Sequence, residues 1–151
     1  MLHIAEHDRK KLASYNLSIM YHETETWLIA SNPSKYNIMG AFIANDAITW
    51  GLTVKTNVGD IIYIYLSAPY SRIKFKCIVD RIDVPVTERL GAEFWLEKFD
   101  PNRNLINLRL LSRLNDDRLQ LKNLTGSKLM SSAPQGPRRL SEELNEFLSG
   151  L

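Results

Sequence analysis

The stretch "VGDIIYIYLSAPYSRIKFKCIVDRIDVP", Val58–Pro85, decides how the chain is read. Gly59-Asp60 opens a run, Ile61–Ser67, whose two faces are both apolar or aromatic. That pattern belongs to a central strand covered on both sides. Ala68-Pro69-Tyr70 is a turn. Arg72–Val79 then alternates: Ile73, Phe75, Cys77 and Val79 on one face, Arg72, Lys74 and Lys76 on the other. Two strands joined by a short turn predict an antiparallel hairpin.

Upstream, Thr26–Ala30 reads as a strand ended by the polar turn Ser31-Asn32-Pro33. Lys35–Ala44 reads as a short helix with Tyr36, Met39, Ala41 and Phe42 as inward residues, and Ile48–Trp50 as a brief strand before Gly51. Downstream, Phe94–Phe99 and Leu105–Leu114 are strand candidates, although the leucine spacing of the second also fits a helix. Arg118–Leu124 reads as a helical turn and Ser131–Arg139 as a Pro/Gly loop. Ser141–Leu148 reads as a helix capped by Ser141, with Glu142 and Glu143 in its first turn. Strands dominate and helices are short and peripheral. The expected class is therefore α+β, mainly β: a curved sheet or barrel edged by helices.

At 151 residues the chain suits one domain with a real core. No apolar run reaches the ~20 residues of a membrane helix. The N-terminus lacks a secretory pattern. The single cysteine, Cys77, has no internal disulfide partner, and on the apolar face of a strand it reads as an inert thiol. Both points favour a reducing, cytoplasmic setting. Residues 1–25 are polar with a poor helical period over Asp8–Met20, and read as an N-terminal extension or junction to another domain. Net charge is +2. Residues 101–151 carry eight Lys or Arg against five Asp or Glu, whereas residues 26–100 carry eight of each. This mild C-terminal bias reads either as solvated surface or as part of an anion-facing side.

Catalytic patterns are scarce. His3, His7 and His22 lie in the extension, and no cysteine or third ligand accompanies the His3/His7 pair. There is no phosphate-cradling glycine loop and no nucleophile elbow. No cofactor and no metal are expected, and the chain reads as a non-catalytic binding module.

Four pieces taken together resemble the EVE domain family of the PUA-like superfamily, and the related YTH domains. They are Ser31-Asn32-Pro33 after a strand, Trp50 after a short helix, the Val58–Pro85 hairpin, and "APQGPRRLSEEL" at Ala133–Leu144. The resemblance covers residues 26–149. It implies a PUA-like pseudo-barrel of about five to six strands with a pocket at one end that reads a modified base, a modified cytosine in DNA being favoured over RNA. It also implies association with a nuclease or other effector, as in modification-dependent restriction systems. The pocket residues expected on this basis are Ser31, Asn32, Tyr36, Trp50, Ser67 and Tyr70. Trp50 would supply a stacking wall and the two turns would supply the hydrogen-bonding edge. Lys35, Lys74, Lys76, Arg138 and Arg139 are the candidates for phosphate contact. For Trp50 a core position is the competing reading, and for the basic residues a solvated surface. Two other function classes stay open: a free nucleotide- or nucleoside-binding regulator or enzyme accessory domain, and a protein-interaction module.

Overall fold

The computed structural model describes residues 24–151. The expected helix over Asp8–Met20 and the histidines His3, His7 and His22 lie outside them. Among the described residues six strands form one mixed sheet: β1 (Thr26–Ser31), β2 (Ala47–Leu52), β3 (Ile61–Leu66), β4 (Arg72–Arg81), β5 (Asn104–Arg113) and β6 (Arg138–Arg139). Their order is β2-β5-β4-β3-β1-β6, with β1 and β3 parallel and the other neighbours antiparallel. Among the described residues there are three α-helices, α1 (Ile38–Ala44), α2 (Leu121–Gly126) and α3 (Glu142–Ser149). The hairpin at β3 and β4 is where the sequence puts it.

β3 is apolar on both faces because a core lies on each side. Ile62, Ile64 and Leu66 pack with Trp27, Ile29, Phe42, Trp50, Phe75 and Cys77. Tyr63 and Tyr65 face a second core built with Leu28, Leu119, Leu124, Leu144 and Leu148. Each such side chain gains roughly 1.5–3 kcal/mol on burial. One expectation needs correction. Phe75, Cys77 and Val79 share the first core, but Ile73 does not. Phe75 pairs with Ile64 while Ile73 pairs with Tyr65, so Lys74 is an extra residue in β4. That bulge turns Ile73 to the opposite face, into the second core.

Local chemistry sets the element ends. Asn37 caps α1 by accepting from the Gly40 N–H at 3.0 Å. The helix thus begins at Ile38, and Tyr36 is left in extended backbone bridged to Trp95. Ser141 caps α3 by accepting from the Leu144 N–H, as its sequence predicts. The 94–99 segment is not a strand. Gly91 at φ 68° feeds a single 3-10 turn, Ala92–Phe94, and only Trp95 then makes an isolated bridge. Arg138 and Arg139, expected in a loop, form the two-residue strand β6 beside Trp27 and Leu28.

The Gly59-Asp60 pair locks the start of the hairpin. Asp60 is fully buried. Its carboxylate accepts from the Glu25 N–H (2.9 Å), the Asn57 N–H (3.0 Å) and the Trp27 indole N–H (3.2 Å). Cys77 is fully buried too, and burial pushes its thiol up well beyond the usual range. Among the described residues, no helix is long and apolar enough to cross a membrane.

Candidate nucleic-acid interface

β1 and β2 are separated by three strands in the sheet order, yet they line one cavity. Ile29 and Ala30 of β1 face Trp50, Gly51 and Leu52 of β2 across a hollow of about 350 Å³. The sheet is therefore rolled, and the hollow occupies the slot where its β2 edge approaches β1 beyond the short β6, without pairing to it. Gln135-Gly136-Pro137, just before β6, closes one side; Trp95 and Phe99 close another.

The aromatic wall is assembled from distant segments. Trp50 and Trp95 stack with centroids 5.8 Å apart and planes 24° apart. Tyr36 stands behind both, edge-on to Trp50 at 5.2 Å and tilted to Trp95 at 4.8 Å. Such pairs contribute about 0.5–1.5 kcal/mol beyond burial. Phe99 extends the row at 5.7 Å from Trp95, and the Arg89 guanidinium caps it at 3.9 Å. Two backbone hydrogen bonds fix Trp95: Asn37 N–H to Phe94 C=O and Leu96 N–H to Lys35 C=O, both 2.9 Å. Thr49 clips the preceding loop to β2. Its hydroxyl donates to Asn107 Oδ1 at 2.6 Å and accepts from the Leu90 N–H at 2.8 Å.

Two glycines are required here by space. A Cβ on Gly51 would lie 2.8 Å from the Arg103 Cβ, so the residue after Trp50 has to be bare for Arg103 to cross it. A Cβ on Gly91 would meet the Tyr36 hydroxyl at 2.8 Å, and its φ is positive. The Tyr36 hydroxyl donates to the Gly91 C=O at 2.8 Å. Burial first, and then the Glu93 charge, push the Tyr36 phenol far above its ordinary range.

The rim is charged. Lys35, Lys98 and Arg103 face Glu97 and Asp100, and Arg103 pairs with Asp100 at 3.3 Å. Lys35 and Lys98 make no ion pair among the described residues.

Of the six residues expected in a pocket, Trp50 alone lines this cavity. Tyr36 is a buried brace behind the wall rather than a surface of it. The two turns do meet, since Ser67 donates from both N–H and hydroxyl to the Ser31 C=O at 3.0 Å. This joins the ends of β1 and β3 outside the hollow. The Ser31 hydroxyl is buried without a partner among the described residues. Exposed Asn32 holds its own turn, accepting from the Ser34 N–H and hydroxyl at 2.9 and 2.7 Å. Tyr70 is 43% exposed on the β3–β4 turn, away from the lining.

Of the basic candidates, Lys35 is at the rim. Arg139 pairs with Glu25 at 3.0 Å and lies over the Trp27 ring. With Arg138 it borders a different hollow beside Leu144. Lys74 bonds to Asn115. Desolvation, then repulsion from Arg72 and Arg113, lower its pKa. Lys76 lies over the Tyr63 ring, on the second-core side of the sheet. Trp95 and Phe99 are not among the expected pocket residues, because Phe94–Phe99 reads as a strand. Three large aromatics, Phe94, Trp95 and Phe99, in a charged segment between Gly91 and Pro101 are the signal of a structured loop.

No family model and no curated protein matches the chain. Among solved structures it is similar to ASCH from Zymomonas mobilis, at 12% identity and TM-score 0.55, over 84% of this chain and 95% of that one. Rpa0253 from Rhodopseudomonas palustris matches at 14% identity and TM-score 0.58, over 84% and 92%. Atu2648 from Agrobacterium tumefaciens matches at 18% identity and TM-score 0.56, over 83% and 90%. The six-stranded mixed sheet with its three short helices is mainly β and consistent with a PUA-like pseudo-barrel. At these identities the likeness is one of scaffold alone.

Proposed function

We propose that the domain is a non-catalytic nucleic-acid-binding module that takes an unpaired or extruded base into the hollow between β1 and β2. The observation that carries this is the Trp50–Trp95 stack at the wall of a base-sized cavity, with Lys35 and Lys98 at its rim in no ion pair among the described residues. A flat ring gains roughly 1–3 kcal/mol on such a wall. The lysines provide phosphate contact without base identity. The PUA-like scaffold and its ASCH-type neighbours are compatible with this reading.

Within it, the Ser31-Asn32-Pro33 turn, Trp50 and the Gly59-Asp60 hairpin favour an EVE-type reader of a modified base. A modified cytosine in DNA is then the preferred ligand, a nuclease or other effector the downstream partner, and a reducing cytosol the setting. A panel of matched DNA and RNA strands, with and without cytosine modifications, tests this by affinity at several salt concentrations. Modification-dependent, salt-sensitive binding is the expected result. Equal binding of modified and plain strands would remove the modified-base assignment. Binding to no strand would remove nucleic acid altogether.

A further inference from the structure

We propose that the main-chain N–H and C=O of Ala30 form the hydrogen-bonding edge of the hollow and hold the free Watson–Crick edge of the base. This rests on the nucleic-acid reading above and specifies how that site reads its ligand. The ladder of β1 carries the argument. The Ile61 N–H donates to the Glu25 C=O and the Ser67 N–H to the Ser31 C=O. In a parallel pair alternate residues face the partner, so Glu25, Trp27, Ile29 and Ser31 turn their polar groups to β3. Thr26, Leu28 and Ala30 turn theirs the other way, and the Leu140 N–H donates to the Thr26 C=O accordingly.

β6 pairs only with Trp27 and Leu28. Continuing that register would set Ala30 opposite Gly136, but the chain has left β1 by then. Ala30 and Gly136 line the hollow instead. The Ala30 N–H and C=O have no hydrogen-bond partner among the described residues. One donor and one acceptor thus stand side by side on a strand edge, opposite an aromatic wall. A nucleobase edge carries the complement, an acceptor beside a donor, and its ring is flat enough to lie along Trp50. An added peptide strand suits the place less well. The free edge is confined between β6 and the turn that begins at Asn32, too short for a ladder.

The experiment uses the full chain, labelled with nitrogen-15, and four short single strands, each rich in one base. Each has a counterpart methylated on the Watson–Crick ring nitrogen. The Trp50 indole N–H resonance reports entry into the hollow, and hydrogen exchange of the Ala30 amide reports the edge. The strand that shifts Trp50 should slow Ala30 exchange tenfold or more, and its methylated counterpart should bind at least tenfold more weakly. If Trp50 shifts while Ala30 exchange and the methylated affinity are unchanged, the base enters without this edge. The inference then fails and the base-binding reading stands. If no strand shifts Trp50, the base-binding reading fails and takes the inference with it. Ala30 protection by an extended peptide, and by no strand, would overturn the proposal in favour of strand addition.

Discussion

The Trp95 indole stacks on Trp50 although each comes from a segment that cannot place the other alone; Tyr36 joins them, bonding to one segment and bracing both rings. The wall therefore has a buried member and a half-buried one, and the two respond differently to truncation. Trp95→Ala should leave a folded protein that binds its strand at least about 1 kcal/mol more weakly. Trp50→Ala removes a core ring and should cost about 3–5 kcal/mol of stability. Thermal melting beside a binding titration separates the two. Unchanged affinity in a folded Trp95→Ala variant would sink the wall.

Lys35 and Lys98 act on backbone rather than base in the proposed site. Replacing both with Gln should weaken modified and unmodified strands alike and flatten the dependence of log affinity on log salt by roughly one to two units. Affinity against salt for both strands checks this. A selective loss for the modified strand would mean that a lysine reads the base.

Thr49 holds the loop that carries Trp95, through bonds to Asn107 and to the Leu90 N–H. Thr49→Val leaves the buried Asn107 oxygen and the Leu90 amide without their partner. The expected loss is about 1–3 kcal/mol, with faster hydrogen exchange at Leu90 ahead of the β3–β4 hairpin. Uniform acceleration across the sheet would instead indicate a general packing defect.

Asp60→Ala strands the buried Trp27 indole donor and two part-buried ones, the N–H groups of Glu25 and Asn57, at once. A cost of about 3 kcal/mol or more follows, read by chemical denaturation. A change within about 0.5 kcal/mol would show that water replaces the carboxylate there.

Hydrogen bonds from the Arg118 side chain and N–H hold the Asp116 carboxyl at about 2, against an ordinary 3.8. The folded value lies below the unfolded one. Its stabilising contribution is therefore present above about pH 4 and lost as pH falls through about 2. A carbon-13 titration of Asp116 should give a midpoint near the lower value, and Arg118→Gln should move it up towards the ordinary one. A midpoint near 3.8 in the unaltered chain would refute the pairing.

What the sequence made legible followed from short-range periodicity. β3 reads correctly because its two apolar faces meet two cores, and β4 because a ten-residue strand alternates even across a bulge. The bulge itself was hidden, since an extra Lys74 does not disturb the pattern on either side of it. At the candidate site, Trp50 and Lys35 were legible and Trp95 was not. Its position depends on backbone bonds to Lys35 and Asn37, some sixty residues away in sequence. Ser31, Ser67 and Tyr70 were placed by turn chemistry, which locates a turn but not the side on which a cavity opens.

The burial of Cys77 has a practical side. Thiol reagents need an accessible thiolate, and this sulfur has neither access nor acidity in the folded chain. A cysteine introduced on the surface, at Ile43 for instance, which is 81% exposed, would be the preferred target of a dye or spin label while the fold holds. The native thiol need not be removed first, and its delayed modification on heating would serve as a clock for global opening.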